Sequence, residues 1–148
     1  ALGDSKHLIT AEDLPFIIAD VMESKEYQYL ELKKCDISTG LDRGSSVSLV
    51  VTINGEEFDG SGIGNGGFDA FMDAITKILV KISFTMPVLK DYEVHIPRGG
   101  KTDALTECII TWESEIQEFK TRGVDSNQVM AAVKATTRMI NMKMHADN

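Results

Sequence analysis

The chain has 148 residues, 43% of them apolar, with a formal net charge of −8 at pH 7. Folding at this length buries roughly 70% of the unfolded surface, enough for one domain with a real core. An acidic chain without a basic cluster repels nucleic acid, and no apolar run of about 18 residues, signal-peptide pattern or polybasic segment directs it to a membrane, so a cytoplasmic location is expected.

In chain order, residues 1–9 lack periodicity and read as a connector, and Ala1 in place of Met suggests a piece of a longer protein. Thr10 is placed as a helix N-cap, with Glu12 and Asp13 favouring the positive helix end and Pro15 in the early turns. Leu14, Ile17, Ile18, Val21 and Met22 share one face, a stripe that is more often a core contact than a partner surface. Residues 1–26 are therefore read as a helical linker subdomain and 27–148 as the main domain.

Tyr27 to Ile37 has strand composition with untidy alternation, and Ser38 to Ser45 reads as a turn or loop. Val47, Leu49, Val51 and Ile53 alternate with Ser48, Val50, Thr52 and Asn54, the pattern of a half-buried strand. Asn54-Gly55 predicts a type I′ hairpin returning through Glu56 to Ser61. Gly60 to Gly67 then reads as a glycine turn feeding a helix whose Phe68, Phe71, Met72, Ile75, Ile78, Leu79 and Ile82 form a broad apolar face ending before Pro87.

The second half repeats this order. Asp91 to Ile96 is a strand, Pro97 to Asp103 a loop, and Cys108, Ile110 and Trp112 mark the next strand. A turn around Ser114 to Ile116 precedes Gln117 to Arg122, and Asp125 to Gln128 reads as a capping box for the last helix. Aligning Glu57-Phe58 with Glu118-Phe119 superposes Gly62 on Gly123, Ile63 on Val124, Ala70 on Ala131, Ala74 on Ala135 and Thr76 on Thr137. The expected fold is α+β: two pseudo-symmetric βββα units with antiparallel sheets, about 27–84 and 88–142.

No catalytic constellation emerges. His7, His95 and His145 have no sequence-evident partner, Cys35 and Cys108 fit reduced thiols, and no spacing supports a metal site. Asp59 invites pairing with Asp69 or Asp73, but the latter two lie one helical turn apart on a polar, solvated face. The glycine stretch carries the chemistry instead. Gly62, Gly64 and Gly67 satisfy G-x-G-x-x-G, yet hairpin-joined strands lack the parallel βαβ setting of a dinucleotide site. Glycines before a helix either make a tight turn or leave the first N–H groups open to an anion, and a β-branched residue at Gly66 would be strained if the turn needs a glycine-only conformation.

Gly64-Asn-Gly-Gly-Phe-Asp-Ala-Phe-Met-Asp-Ala74, Leu89 to Tyr92, Gly99 to Ala104 and Arg122 to Ser126 together resemble the C-terminal regulatory domain of 2-isopropylmalate synthase and its relative citramalate synthase. The resemblance covers about residues 27–142, with the Thr10 helix similar to the linking subdomain. It implies a homodimer that binds leucine or isoleucine as feedback inhibitor, and leucine is favoured on family prevalence. It implies no turnover and no cofactor here, because the acetyl-CoA, 2-oxo acid and divalent-metal sites belong to a catalytic barrel of the same chain outside these residues. By the family's pattern Gly64, Asn65, Gly66 and Phe68 contact the effector, Leu89, Tyr92 and Ile96 line its pocket, and Ala104 and Thr106 are small residues beside it. One departure is Gly66-Gly67, where the family often has Gly-Pro; bulky Phe68 would narrow the pocket. A purely structural dimerisation domain and a small enzyme with an anionic substrate are the competing readings.

Overall fold

The computed structural model describes residues 28–40, 44–96, 105–115 and 117–147. The chain divides into two compact units, Tyr29–Met86 and a unit holding everything from Pro87 onward. The helix expected from Thr10 and the loop from Pro97 to Asp103 lie outside the described residues.

In the first unit β1 (Leu30–Gly40), β2 (Gly44–Ile53) and β3 (Glu56–Gly64) form an antiparallel sheet in that order, followed by α1 (Gly67–Val80). The hairpin falls at Asn54-Gly55, whose φ values of 52° and 86° are the paired positive angles of a type I′ turn. Along β2 the alternation does what it implies: Val47, Leu49, Val51 and Ile53 are buried, while Ser46 and Ser48 face water. Over the apolar face lie Ala70, Phe71, Ala74, Ile75, Ile78 and Leu79 of α1, all fully buried. Each large aliphatic or aromatic side chain so buried contributes about 1.5–3 kcal/mol. The untidy alternation of β1 has a local cause. A register shift between Leu32 and Lys34 moves the inward positions from even to odd numbers, so Leu30 and Leu32 pair with Ile53 and Val51, and Cys35 and Ile37 with Leu49 and Val47.

The second unit repeats the plan with β4 (Val88–His95), β5 (Thr106–Glu113), β6 (Glu118–Asp125) and α2 (Gln128–Asp147), again an antiparallel sheet in chain order. Its first strand carries the same irregularity, between Leu89 and Asp91, so that Leu89 pairs with Trp112 and Tyr92 with Ile110. Cys108, Ile110, Trp112 and Phe119 pack with Ala131, Ala135, Met139 and Ile140 of the helix. The buried indole needs an acceptor. Trp112 Nε1 donates to Thr121 Oγ1 at 2.9 Å, and that hydroxyl donates to the Ala135 carbonyl at 2.7 Å, so a polar relay closes inside the core.

The α+β class and the two antiparallel βββα units are as expected, while local readings are corrected: Ser38 to Ser45 is not loop throughout, because β1 reaches Gly40 and β2 starts at Gly44, with Ser38 paired to Ser46 and Thr39 to Ser45. The glycine stretch is not a turn throughout: β3 runs to Gly64, leaving only Asn65 and Gly66 between strand and helix. The glycines there serve close approach. A Cβ at Gly62 would overlap the backbone of Ala70 and Ala74, and one at Gly123 would come within 2.5 Å of the Ala135 nitrogen. The residues superposed by the internal repeat are therefore the strand-to-helix seam itself. The last helix is capped by Asn127 rather than Asp125. Asn127 Oδ1 accepts the Met130 N–H at 3.0 Å, while Asp125 ends β6 and accepts the Asn127 N–H at 2.8 Å.

Candidate functional site

At the β3–α1 junction the strand ends on Gly64, and Gly66 is the N-cap with φ −136° and ψ 174°. Those are extended angles open to any residue, so the turn does not need a glycine-only conformation there. What distinguishes Gly66 is space: a Cβ there would meet nothing within 4 Å, and no side-chain cap bonds the helix end. The positive end of α1 thus faces an unfilled position, a setting that attracts an anion. Phe68 is half-buried against Phe71, ring centroids 6.2 Å apart and stacked, so part of its bulk is turned along its own helix. Asp69, the acidic residue of the first turn, is exposed.

Behind the turn, Asp73 is more than part of a solvated face. Its carboxylate accepts the Ile63 N–H at 3.0 Å and meets Lys77 Nζ at 3.1 Å, and Lys77 reaches the Ser61 carbonyl at 3.5 Å. The backbone hydrogen bond first, and Lys77 second, hold the Asp73 carboxyl below the ordinary carboxylate range.

The corresponding end of α2 is closed by its own residues. The Asn127 cap occupies the position of Gly66, and Asp125, in the position of Gly64, pairs with Lys134 at 2.9 Å. The Asn127 N–H, then Lys134, lower the Asp125 pKa.

Gly64, Asn65, Gly66 and Phe68 are therefore brought together at one helix end. Leu89, Tyr92, Ile96 and Thr106 lie in the other unit. Leu89 and Tyr92 are half-buried on β4, Ile96 just beyond it is 72% exposed, and Thr106 opens β5 at 8% exposure. Helix α2 packs on β6 and β5, which leaves the apolar side chains of β4 only partly covered. Ala104 is outside the described residues.

Sequence reasoning missed two features. One is the hydrogen bond between Tyr92 and Cys108, which partly offsets the upward push of burial on that thiol. Burial, and then Asp36, likewise raise the Cys35 pKa, so both thiols stay protonated near neutrality and neither is an activated nucleophile. The other is a groove of about 440 Å³ on the outer face of the first sheet, where Ser46, Ser48 and Ser61 lie between Asp36 and Lys77. His95 pairs with Glu93 at 3.2 Å on an exposed face. Among the described residues no group of three or more His, Cys, Asp and Glu is placed to hold a metal ion, and no helix is long and apolar enough to cross a membrane.

Comparison with known proteins gives this geometry a context. A 2-isopropylmalate synthase of Methanocaldococcus jannaschii is 34% identical over 95% of the chain, which spans 27% of that relative. A candidate (R)-citramalate synthase of Methanoculleus marisnigri is 27% identical over 99% of the chain and 29% of its own length. A 2-isopropylmalate synthase of Aquifex aeolicus is 29% identical over 95% of the chain, again only 26% of the relative. The chain thus spans less than a third of each of these relatives. The family model described as the LeuA allosteric (dimerisation) domain matches residues 8–144, and with it the seam glycines, both βββα units and the open helix end, so the chain belongs to the LeuA allosteric (dimerisation) domain family.

Proposed function

We propose that this domain binds leucine as a feedback effector and forms the dimer of a cytoplasmic 2-isopropylmalate synthase, with no turnover of its own. The observation that carries the reading is the difference between the two helix ends. Asn127 and Asp125 close α2 from within, whereas α1 begins at Gly66 with no side-chain cap and open space where a side chain would stand. An α-amino acid would direct its carboxylate there, where the helix end favours negative charge without a basic residue. Burying its branched chain would add about 1.5–3 kcal/mol. On the family's pattern Leu89, Tyr92, Ile96, Ala104 and Thr106 are also proposed to take part in effector recognition. Dimerisation is supported by the partly covered apolar side chains of β4 and by exposed Ile63 and Ile96.

Because the relatives include both synthases, the second reading is an isoleucine-binding domain of a citramalate synthase. Calorimetric titration with leucine, isoleucine and valine separates them. Leucine binding tightest supports the first, isoleucine tightest the second. No binding by a domain that sediments as a stable dimer at micromolar concentration means a structural dimerisation module and refutes both.

A further inference from the structure

We propose that Asp73 is a positioning residue for the Gly64–Gly66 turn: by holding the Ile63 N–H against α1 it fixes the angle at which β3 delivers that turn to the helix end. This rests on the effector reading above. β3 is an edge strand, so the Ser61 carbonyl and the Ile63 N–H that meet α1 are not used in pairing with β2. Inward from that edge, Gly62 and Gly64 lie against the helix backbone with no side chains to key into it. A seam of glycine on alanine sets how near strand and helix come but resists sliding poorly. The Asp73 and Lys77 contacts supply the missing constraint one residue before the turn begins.

The second unit provides an internal comparison. Ser61, Ile63, Asp73 and Lys77 correspond in the repeat to Arg122, Val124, Lys134 and Arg138. There Lys134 donates to the Val124 carbonyl at 3.2 Å and Arg138 donates to the Arg122 carbonyl. The same positions are tied in both units, although the polarity at 73 and 134 is reversed. A tie that persists when its chemistry is inverted answers a geometric need. Stability is a poor alternative explanation, because the Asp73–Lys77 pair is exposed and such pairs contribute little.

The test compares Asp73→Ala, Asp73→Asn and Lys134→Ala by amide exchange of residues 63–67 in the free domain and by calorimetry with leucine. Asp73→Ala should speed exchange across the turn and weaken leucine binding about fivefold, the scale of one net hydrogen bond of ordering. Asp73→Asn should stay within about twofold of the unsubstituted domain, since its amide oxygen still accepts the Ile63 N–H. Lys134→Ala should leave leucine affinity unchanged although it removes the matching tie. A folded Asp73→Ala with unaltered exchange and affinity overturns the proposal, as does an equal loss of affinity in Lys134→Ala. If the unsubstituted domain binds no leucine, the effector reading fails, and the exchange rates alone then decide whether Asp73 holds the turn.

Discussion

Replacing Gly66 by Val separates a turn from a binding site, because the structure removes the usual ambiguity of a glycine substitution. Gly66 sits at extended angles that β-branched residues adopt readily, and a Cβ there meets nothing within 4 Å. The cost to folding is therefore the poorer N-cap preference of Val, about 0.5–1 kcal/mol, partly offset by a less flexible unfolded chain. In a domain of this size that lowers Tm by about 2–4 °C. Binding should respond quite differently. The isopropyl group would stand where a ligand carboxylate meets the helix end, and losing an anion from a partly buried helix N-terminus is worth up to about 2 kcal/mol, a loss of up to roughly thirtyfold in affinity. Urea unfolding, sedimentation and leucine calorimetry on one preparation give all the quantities. A folded, dimeric Gly66→Val that binds leucine as tightly as the unsubstituted domain would refute the placement of the site.

Gly62→Ala and Gly123→Ala should behave in the opposite way, since each Cβ enters helix backbone; destabilisation of about 1–3 kcal/mol or more is expected in urea unfolding, and a neutral result would contradict the seam. Thr121→Val keeps the volume but strands the Trp112 indole N–H, buried at 0% exposure, and should cost about 1–3 kcal/mol by the same assay. In acid, the carboxyl of Asp125 has a lower pKa folded than unfolded, so the unfolded state binds more protons in that range and stability rises with pH. Its contribution is full above the ordinary carboxylate value of about 3.9 and is lost as pH falls through the lowered native value. Asp125→Asn should accordingly flatten the acid limb of a stability–pH curve, and an unchanged limb would show that the carboxylate is not held as described.

How much of this was legible in the sequence depended on whether the signal was local. The Asn54-Gly55 hairpin and the β2 alternation were readable because turn chemistry and period 2 are written in adjacent residues. The seam was readable only through the repeat: Gly62 with Gly123 and Ala70 with Ala131 stood out as matched positions before their contact was known. The bulges were not. Leu32 and Cys35 looked like a broken pattern because a register shift leaves no residue signature, and the same holds at Leu89 and Tyr92. The extent of β3 is not legible in the sequence, since glycine marks both turns and close packing, and only the facing helix tells them apart. At the site, the glycine stretch named the helix end, but the role of Asp73 depends on an N–H ten residues away. Leu89, Tyr92, Ile96 and Thr106 came from family resemblance, not from any period or spacing.

Paired calorimetric titrations with leucine and leucinamide test most directly whether an amino-acid carboxylate meets the open N-terminus of α1. The two share the branched chain and the ammonium and differ at the carboxylate. Saturable leucine binding with leucinamide weaker by several-fold, up to about thirtyfold, is the predicted result, the scale expected for an anion at a helix end. Equal affinity for the two, or tighter binding of leucinamide, would contradict it.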